Sequence, residues 1–358
     1  MVRAGRRGKH VHPTFSRRGI LFGGAAFALW PASVRAEKAP ALAQDVANLG
    51  APDATLEAKI AGLANEAGLA HVGFAAVDVL KGRTAFVRGG ELFPMQGVNK
   101  LPIATAILRI VQLGDLHLEA KLRLSSADIA PGRSPLSDRL RKSATIFTAH
   151  QLLDHMLLNG DNTASDALLK LAGGPKKVQD TIKTFDIEGL RIDRFERELQ
   201  PQALGLEPNP TFADAVAFDS AFAGLGEPKQ SEALERYMRE PRDTASPRAI
   251  ATLLVKLLSG HLVQPRYAMM IFDAMRRTKT GDDRLEGGMT EGWTFAHRSG
   301  QSRAVQGTTA AFNDAGLATH KGGAKIVIVL FIEGATLSPE QLAQFHRATA
   351  RSVLQAWG

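Results

Sequence analysis

From Lys100 onward the apolar residues Ile103, Ile107 and Ile110, with Leu108 and Val111 beside them, recur at helical spacing. One face of a core helix therefore begins at a lysine, and the rest of the chain is arranged around that stretch, Phe93 to Pro102. Three residues before Lys100, Gly97 falls on the same side of the first turn, beside the positive end of the helix dipole and its free backbone N–H groups. Such a place suits an oxyanion. Taken alone, Gly97 also reads as a simple helix cap.

The segments on either side define the architecture. Leu56 to Leu69 reads as an amphipathic helix, and His71 to Val79 with Arg83 to Val87 reads as a hairpin that delivers the chain to Phe93. Lys100 to about Leu258 is mostly helical, with a capping box formed by Thr148 and Gln151. The C-terminal part returns to strands in QGTTAAFNDAG and AKIVIVLFIEG, then to a helix capped by Ser338 and running to Trp357. This predicts a two-lobed α/β (α+β) fold, an antiparallel sheet flanked by helices beside an all-helical lobe.

Met1 to Ala36 carries seven basic residues (Arg3, Arg6, Arg7, Lys9, Arg17, Arg18, Arg35), no acid, and an apolar run from Gly19 to Trp30. It reads as a secretory leader, with Arg17-Arg18 resembling a twin-arginine export signal and Val34-Arg35-Ala36 a cleavage site. A chance arginine pair is the alternative. Removing those seven takes the 44 Lys and Arg to 37 against 36 acids, so the formal charge of +8 falls to about +1. The basic balance belongs to the leader and argues for neither nucleic acid nor a membrane surface. Without cysteine, disulfides, thiol nucleophiles and thiolate metal sites are excluded. Residues 37–53 are expected to be a tether and 54–358 the folded domain, its sheet lobe 54–95 and 288–358 and its helical lobe 96–287. His150 and His155 are five apart, not the four that puts two ligands on one helix face, and no phosphate-binding glycine loop follows a strand. No metal, cofactor or nucleotide is expected.

Phe93-Pro94-Met95-Gln96-Gly97-Val98-Asn99-Lys100 resembles the Ser-x-x-Lys motif of the class A serine β-lactamases, with Gly97 standing where the family has its nucleophilic serine. The resemblance covers about Leu56 to Trp357 and continues through the family's motifs in order. LLNGDNTASDALLKLAGGP is similar to the Ser-Asp-Asn loop, with Gly160 in place of the serine and Asp161 and Asn162 retained. By sequence alone Gly-Asp-Asn is also an ordinary turn. RIDRFEREL resembles the Ω-loop, which implies for Glu196 the role of the water-activating glutamate and for Gln200 the place of its asparagine neighbour. A glutamate among arginines otherwise reads as a solvated surface residue. Arg194 and Asp243 are the expected pair closing the loop. Between them, Pro201 to Glu240 is an insertion with one or two helices, read either as a lid bordering the pocket or as a peripheral elaboration.

Lys279-Thr280-Gly281 imitates the family's third motif, but its context matches a preceding turn, and the counterpart is Arg298-Ser299-Gly300, with His297 in place of a common acid. Arg298 keeps a cation for a substrate carboxylate yet moves no proton. The implied oxyanion hole uses the backbone N–H groups of Gly97 and Gln301, which survive side-chain change. Gln306 takes the place of a carboxylate-binding arginine, for which Arg303 is the candidate substitute.

Acyl-enzyme chemistry needs an oxygen nucleophile, and Gly97 has no side chain. Losing one in a comparable hydrolase costs roughly 10⁶ in turnover, about 8 kcal/mol. Three readings follow: a periplasmic or secreted monomer that binds a β-lactam, peptidoglycan-derived or other small-molecule amide without acylation, around Lys100, Asn162, Glu196 and Arg298; a hydrolase in which water occupies the space left at Gly97 and Glu196 or Lys100 is the base; or a takeover by Ser299 or Ser302. After leader removal no membrane insertion is expected.

Overall fold

The computed structural model describes residues 51–358; the expected leader, and most of the expected tether, lie outside them. Five strands form the main sheet: β1 (His71–Asp78), β2 (Thr84–Val87), β3 (Trp293–Gln301), β4 (Phe312–His320) and β5 (Lys325–Glu333). Their order is β2-β1-β5-β4-β3, and every neighbouring pair is antiparallel.

Both faces of the sheet are covered, which explains why β5 reads as an unbroken apolar run. Its side chains alternate between two cores. Ile326, Ile328, Leu330 and Ile332 face the terminal helices, Ala54–Glu66 and Pro339–Trp357, while Val327, Val329 and Phe331 face the central helices. That second core contains the predicted face of helix Lys100–Leu113: Ile103, Ile107, Leu108 and Ile110 are all buried. Burying each of these side chains is worth about 1.5–3 kcal/mol, which fixes the helix against the sheet.

The helix starts at Lys100 after a 3-10 turn, Gln96–Asn99, so Gly97 lies just outside the α-helix. The Thr148–Gln151 and Ser338–Gln341 capping boxes are present. The predicted QGTTAAFNDAG strand is broken: Ala304–Val305 and Thr308–Thr309 pair as a small ribbon, and β4 begins only at Phe312. The 201–240 segment contains a 3-10 turn, Pro210–Ala213, and helices Ala215–Ala223 and Glu227–Arg239. These close two small cores, one with Phe212, Phe218, Phe222 and Val305, the other with Leu199, Tyr237 and Ala310. No helix among the described residues is long and apolar enough to cross a membrane.

Candidate functional site

Four elements meet at a cleft of about 780 Å³: the 3-10 turn before Lys100, the Gly160–Asn162 turn, the edge strand β3, and the 201–240 segment. Gly160 closes helix Ala149–Asn159 in the left-handed region, and the Asp161 side chain caps the next helix by accepting from Ala164 N at 2.8 Å. Its other oxygen accepts from Leu136 N at 2.7 Å. Asp161 is thus a brace that aims Asn162 into the cleft.

Lys100 is 1% exposed, and two side-chain partners offset the cost of burying its Nζ. Its Nζ donates to Asn162 Oδ1 at 2.9 Å and to Glu196 Oε1 at 2.8 Å. Asn99 Nδ2 donates to the same Glu196 oxygen at 3.1 Å, and Gln200 Nε2 to the other at 2.8 Å. Burial alone would raise the Glu196 carboxyl, but the charge and hydrogen bond of Lys100, with Gln200 and Asn99, hold it below the usual carboxylate range. Asp166 positions it from behind by accepting the Glu196 N–H at 2.6 Å, and burial with the Glu196 charge pushes the Asp166 carboxyl up to about 7. Lys100, Asn162 and Gln200 line the cleft; Glu196 does not.

Arg298 fills the centre. Its Nε donates to Gly97 O at 3.3 Å, and its Nη1 to Leu157 O at 3.1 Å and Thr280 Oγ1 at 3.0 Å. The expected open space at Gly97 is therefore corrected. A Cβ there would lie 2.6 Å from Ser299 O, 3.3 Å from Gly300 Cα and 3.5 Å from Arg298 Nη2, because β3 packs directly on the turn. Gly300 is tied to the same close approach: a Cβ on it would meet Met95 O at 2.5 Å and Gly97 N at 2.7 Å.

Gly97, Ser299, Gly300 and Gln301 all line the cleft. Ser299 Oγ donates to Thr280 O at 2.7 Å, which together with the Arg298 bond makes the Lys279-Thr280-Gly281 turn a support for β3. Arg303 lines the cleft too, but is engaged by Asp219 at 2.6 Å and lies over the Phe222 ring at 4.8 Å. Gln306 faces the 201–240 segment instead, bonding Ser231 Oγ and Glu227 O.

The expected Arg194–Asp243 pair is present at 2.6 Å with both side chains buried, closing a loop of which the 201–240 segment is the enlarged body. That segment reaches the site through Tyr237, whose hydroxyl accepts from Gln96 Nε2 at 2.7 Å; Gln96 Oε1 in turn accepts from Gln200 Nε2 at 3.2 Å. Sequence reasoning missed Gln96, Asn99, Arg133 and Tyr237. Asn99 and Gln96 were findable beside Lys100; nothing in the sequence of the insertion singles out Tyr237.

The sequence and the fold resemble those of known β-lactamases. The model of the "Beta-lactamase enzyme family" (Beta-lactamase2) matches residues 55–357. The chain is 27% identical over 326 residues to a β-lactamase of Streptomyces albus G, covering 89% of this chain and 91% of that one. To β-lactamase VEB-1 of Pseudomonas aeruginosa it is 26% identical over 266 residues, covering 74% and 77%. Among solved structures, an ancestral class A β-lactamase matches with a TM-score of 0.68 at 25% identity, covering 84% of this chain and all of that one. A β-lactamase from Chitinophaga pinensis shares the fold with a TM-score of 0.69 at 24% identity, over 85% and 100%. With a family match over nearly all the described residues and a fold of the class A kind, the chain belongs to the beta-lactamase enzyme family.

Proposed function

We propose that this protein uses a class A β-lactamase cleft to bind a β-lactam, peptidoglycan-derived or other small amide reversibly, without an acyl-enzyme. The observation that carries this reading is at residue 97. It is a glycine where the family motif has its serine, and β3 with Arg298 packs where a side chain would project. The base is withheld as well: Glu196 accepts three hydrogen bonds from Lys100, Asn99 and Gln200 and does not line the cleft. What the cleft does present is recognition: the Asn162 amide, the Gln200 amide, the Arg298 guanidinium and the backbone of Gly97 and Gln301. The arginine pair at Arg17-Arg18 supports export to the periplasm or outside the cell.

One observation favours a second reading, direct hydrolysis: Glu196 is held ionised, as a general base must be. A chromogenic cephalosporin separates the two. The binding reading expects the compound to be retained in equilibrium dialysis with no ring-opening colour change. Colour change lost in Glu196→Ala, with no adduct, would replace it by direct hydrolysis.

A further inference from the structure

Gly160 marks the point where two guanidinium groups converge. A Cβ on it would lie 2.3 Å from Arg298 Nη2 and 3.4 Å from Arg133 Cδ. Arg298 is 3% exposed, and its Nε and Nη1 are satisfied by Gly97 O, Leu157 O and Thr280 Oγ1, all neutral. Among the described residues its Nη2 has no hydrogen-bond partner, although it faces the cleft. Arg133 donates to another neutral oxygen, Asn159 O, at 2.6 Å. Burial, and next the charge of Arg133, lower the Arg298 guanidinium to about 10, and the charges of Asp314 and Glu196 only partly offset them.

The excess extends along the cleft. Arg141 and Lys279 line it, and neither has a carboxylate partner among the described residues; Arg141 donates to Ala213 O. Asp219 is the one acidic side chain among the described lining residues, and Arg303 already engages it. A single anion leaves most of this charge unbalanced. Leu204, Phe212 and Phe218 give the same cleft an apolar stretch.

We propose that the cleft takes a small molecule with an apolar body and two carboxylates, one bound by Arg298 Nη2 and Arg133 over Gly160, the other balanced by Arg141 and Lys279 at the rim. This rests on the reading of the cleft as a non-covalent site. A carboxylate suits the inner position because Arg298 Nη2 donates from one side and the Arg133 Nη groups, left over from its bond to Asn159 O, from the other, and removal from water strengthens such charge-assisted bonds.

Benzylpenicillin and benzylpenicilloate test it, since they share a skeleton and ring opening adds the second carboxylate. In calorimetric titrations at low salt, the penicilloate is expected to bind at least about tenfold tighter. That advantage shrinks at high salt. Replacing the two exposed rim cations, Arg141→Gln with Lys279→Gln, narrows the difference to within about twofold, whereas Arg133→Gln weakens both compounds together. Equal affinities, tighter binding of benzylpenicillin, an advantage that survives the Arg141→Gln/Lys279→Gln change, or binding of neither compound overturns the proposal. Turnover or an adduct with benzylpenicillin would sink the reversible-binding reading instead, while the penicilloate titration stays readable because that compound has no ring to open.

Discussion

Substituting Gly97→Ser puts a hydroxyl where the sequence resemblance expects a nucleophile, and the geometry predicts that it disrupts the site before it does any chemistry. The new Cβ lies 2.6 Å from Ser299 O, and side-chain carbons do not approach backbone oxygen closer than 3.0 Å, so turn and strand must separate by at least 0.4 Å, the difference of the two. Neither side yields easily. Met95, Val98 and Leu101 are buried beneath the turn, and β3 is held by β4 along its whole length, from Trp293 against His320 to Gln301 against Phe312. Overpacking of this kind costs about 1–3 kcal/mol. Urea unfolding of Gly97→Ser and Gly97→Ala measures it, and the two should lose similar amounts because the clash begins at Cβ. Gly62, inside helix Ala54–Glu66 with open space around its Cβ position, is the control: Gly62→Ala should gain about 0.5–1 kcal/mol. If Gly97→Ser is as stable as the unaltered protein and acylates readily, the close packing inferred at residue 97 is wrong.

Three further outcomes follow from the same contacts. Lys100→Met leaves the Glu196 carboxylate buried without its cation and should cost about 3–5 kcal/mol in urea unfolding, whereas the double variant Lys100→Met/Glu196→Gln recovers most of the loss; equal losses would contradict a coupled pair. Tyr237→Phe orphans the buried Gln96 Nε2 and should cost about 1–2 kcal/mol while weakening ligand binding, although residue 237 belongs to the insertion; unchanged affinity would separate insertion from site. The His297 imidazole is raised to about 9: burial opposes its charge, but Asp314 at 2.8 Å and Glu286 at 3.2 Å outweigh it. Its contribution, about 3 kcal/mol, is fully present below its ordinary value of 6.5 and lost as pH rises through about 9, so chemical-denaturation stability should fall across that window and His297→Gln should flatten it.

The fold was legible because its signals are local and repeated. The 3.6-residue spacing after Lys100, the Thr148 and Ser338 caps, and the apolar run of β5 each follow from backbone geometry that one segment specifies by itself. The site was legible in its residue types but not in its space. Motif order groups Lys100, Asn162, Glu196, Gln200 and Arg298; the first four share one hydrogen-bond network and Arg298 lines the same cleft, while the absence of a side chain at Gly97 suggested room. How closely two backbones approach is a tertiary quantity, and a longer side chain at residue 298 spreads over both Gly97 and Gly160. Likewise, Arg303 looked available for a ligand carboxylate until the 201–240 segment supplied Asp219, a contact that joins residues 84 apart and leaves no trace in local sequence. The Lys279-Thr280-Gly281 turn only imitates the third motif in sequence, yet it lines the cleft and supports Arg298 and Ser299.

The central claim is that ligand enters this cleft and leaves it chemically unchanged and unattached. Mass spectrometry of one sample with benzylpenicillin, sprayed first under native and then under denaturing conditions, tests that claim most directly. The account predicts a one-to-one complex in the native spectrum and the bare chain after denaturation. A penicilloyl group that stays on the denatured chain would contradict it.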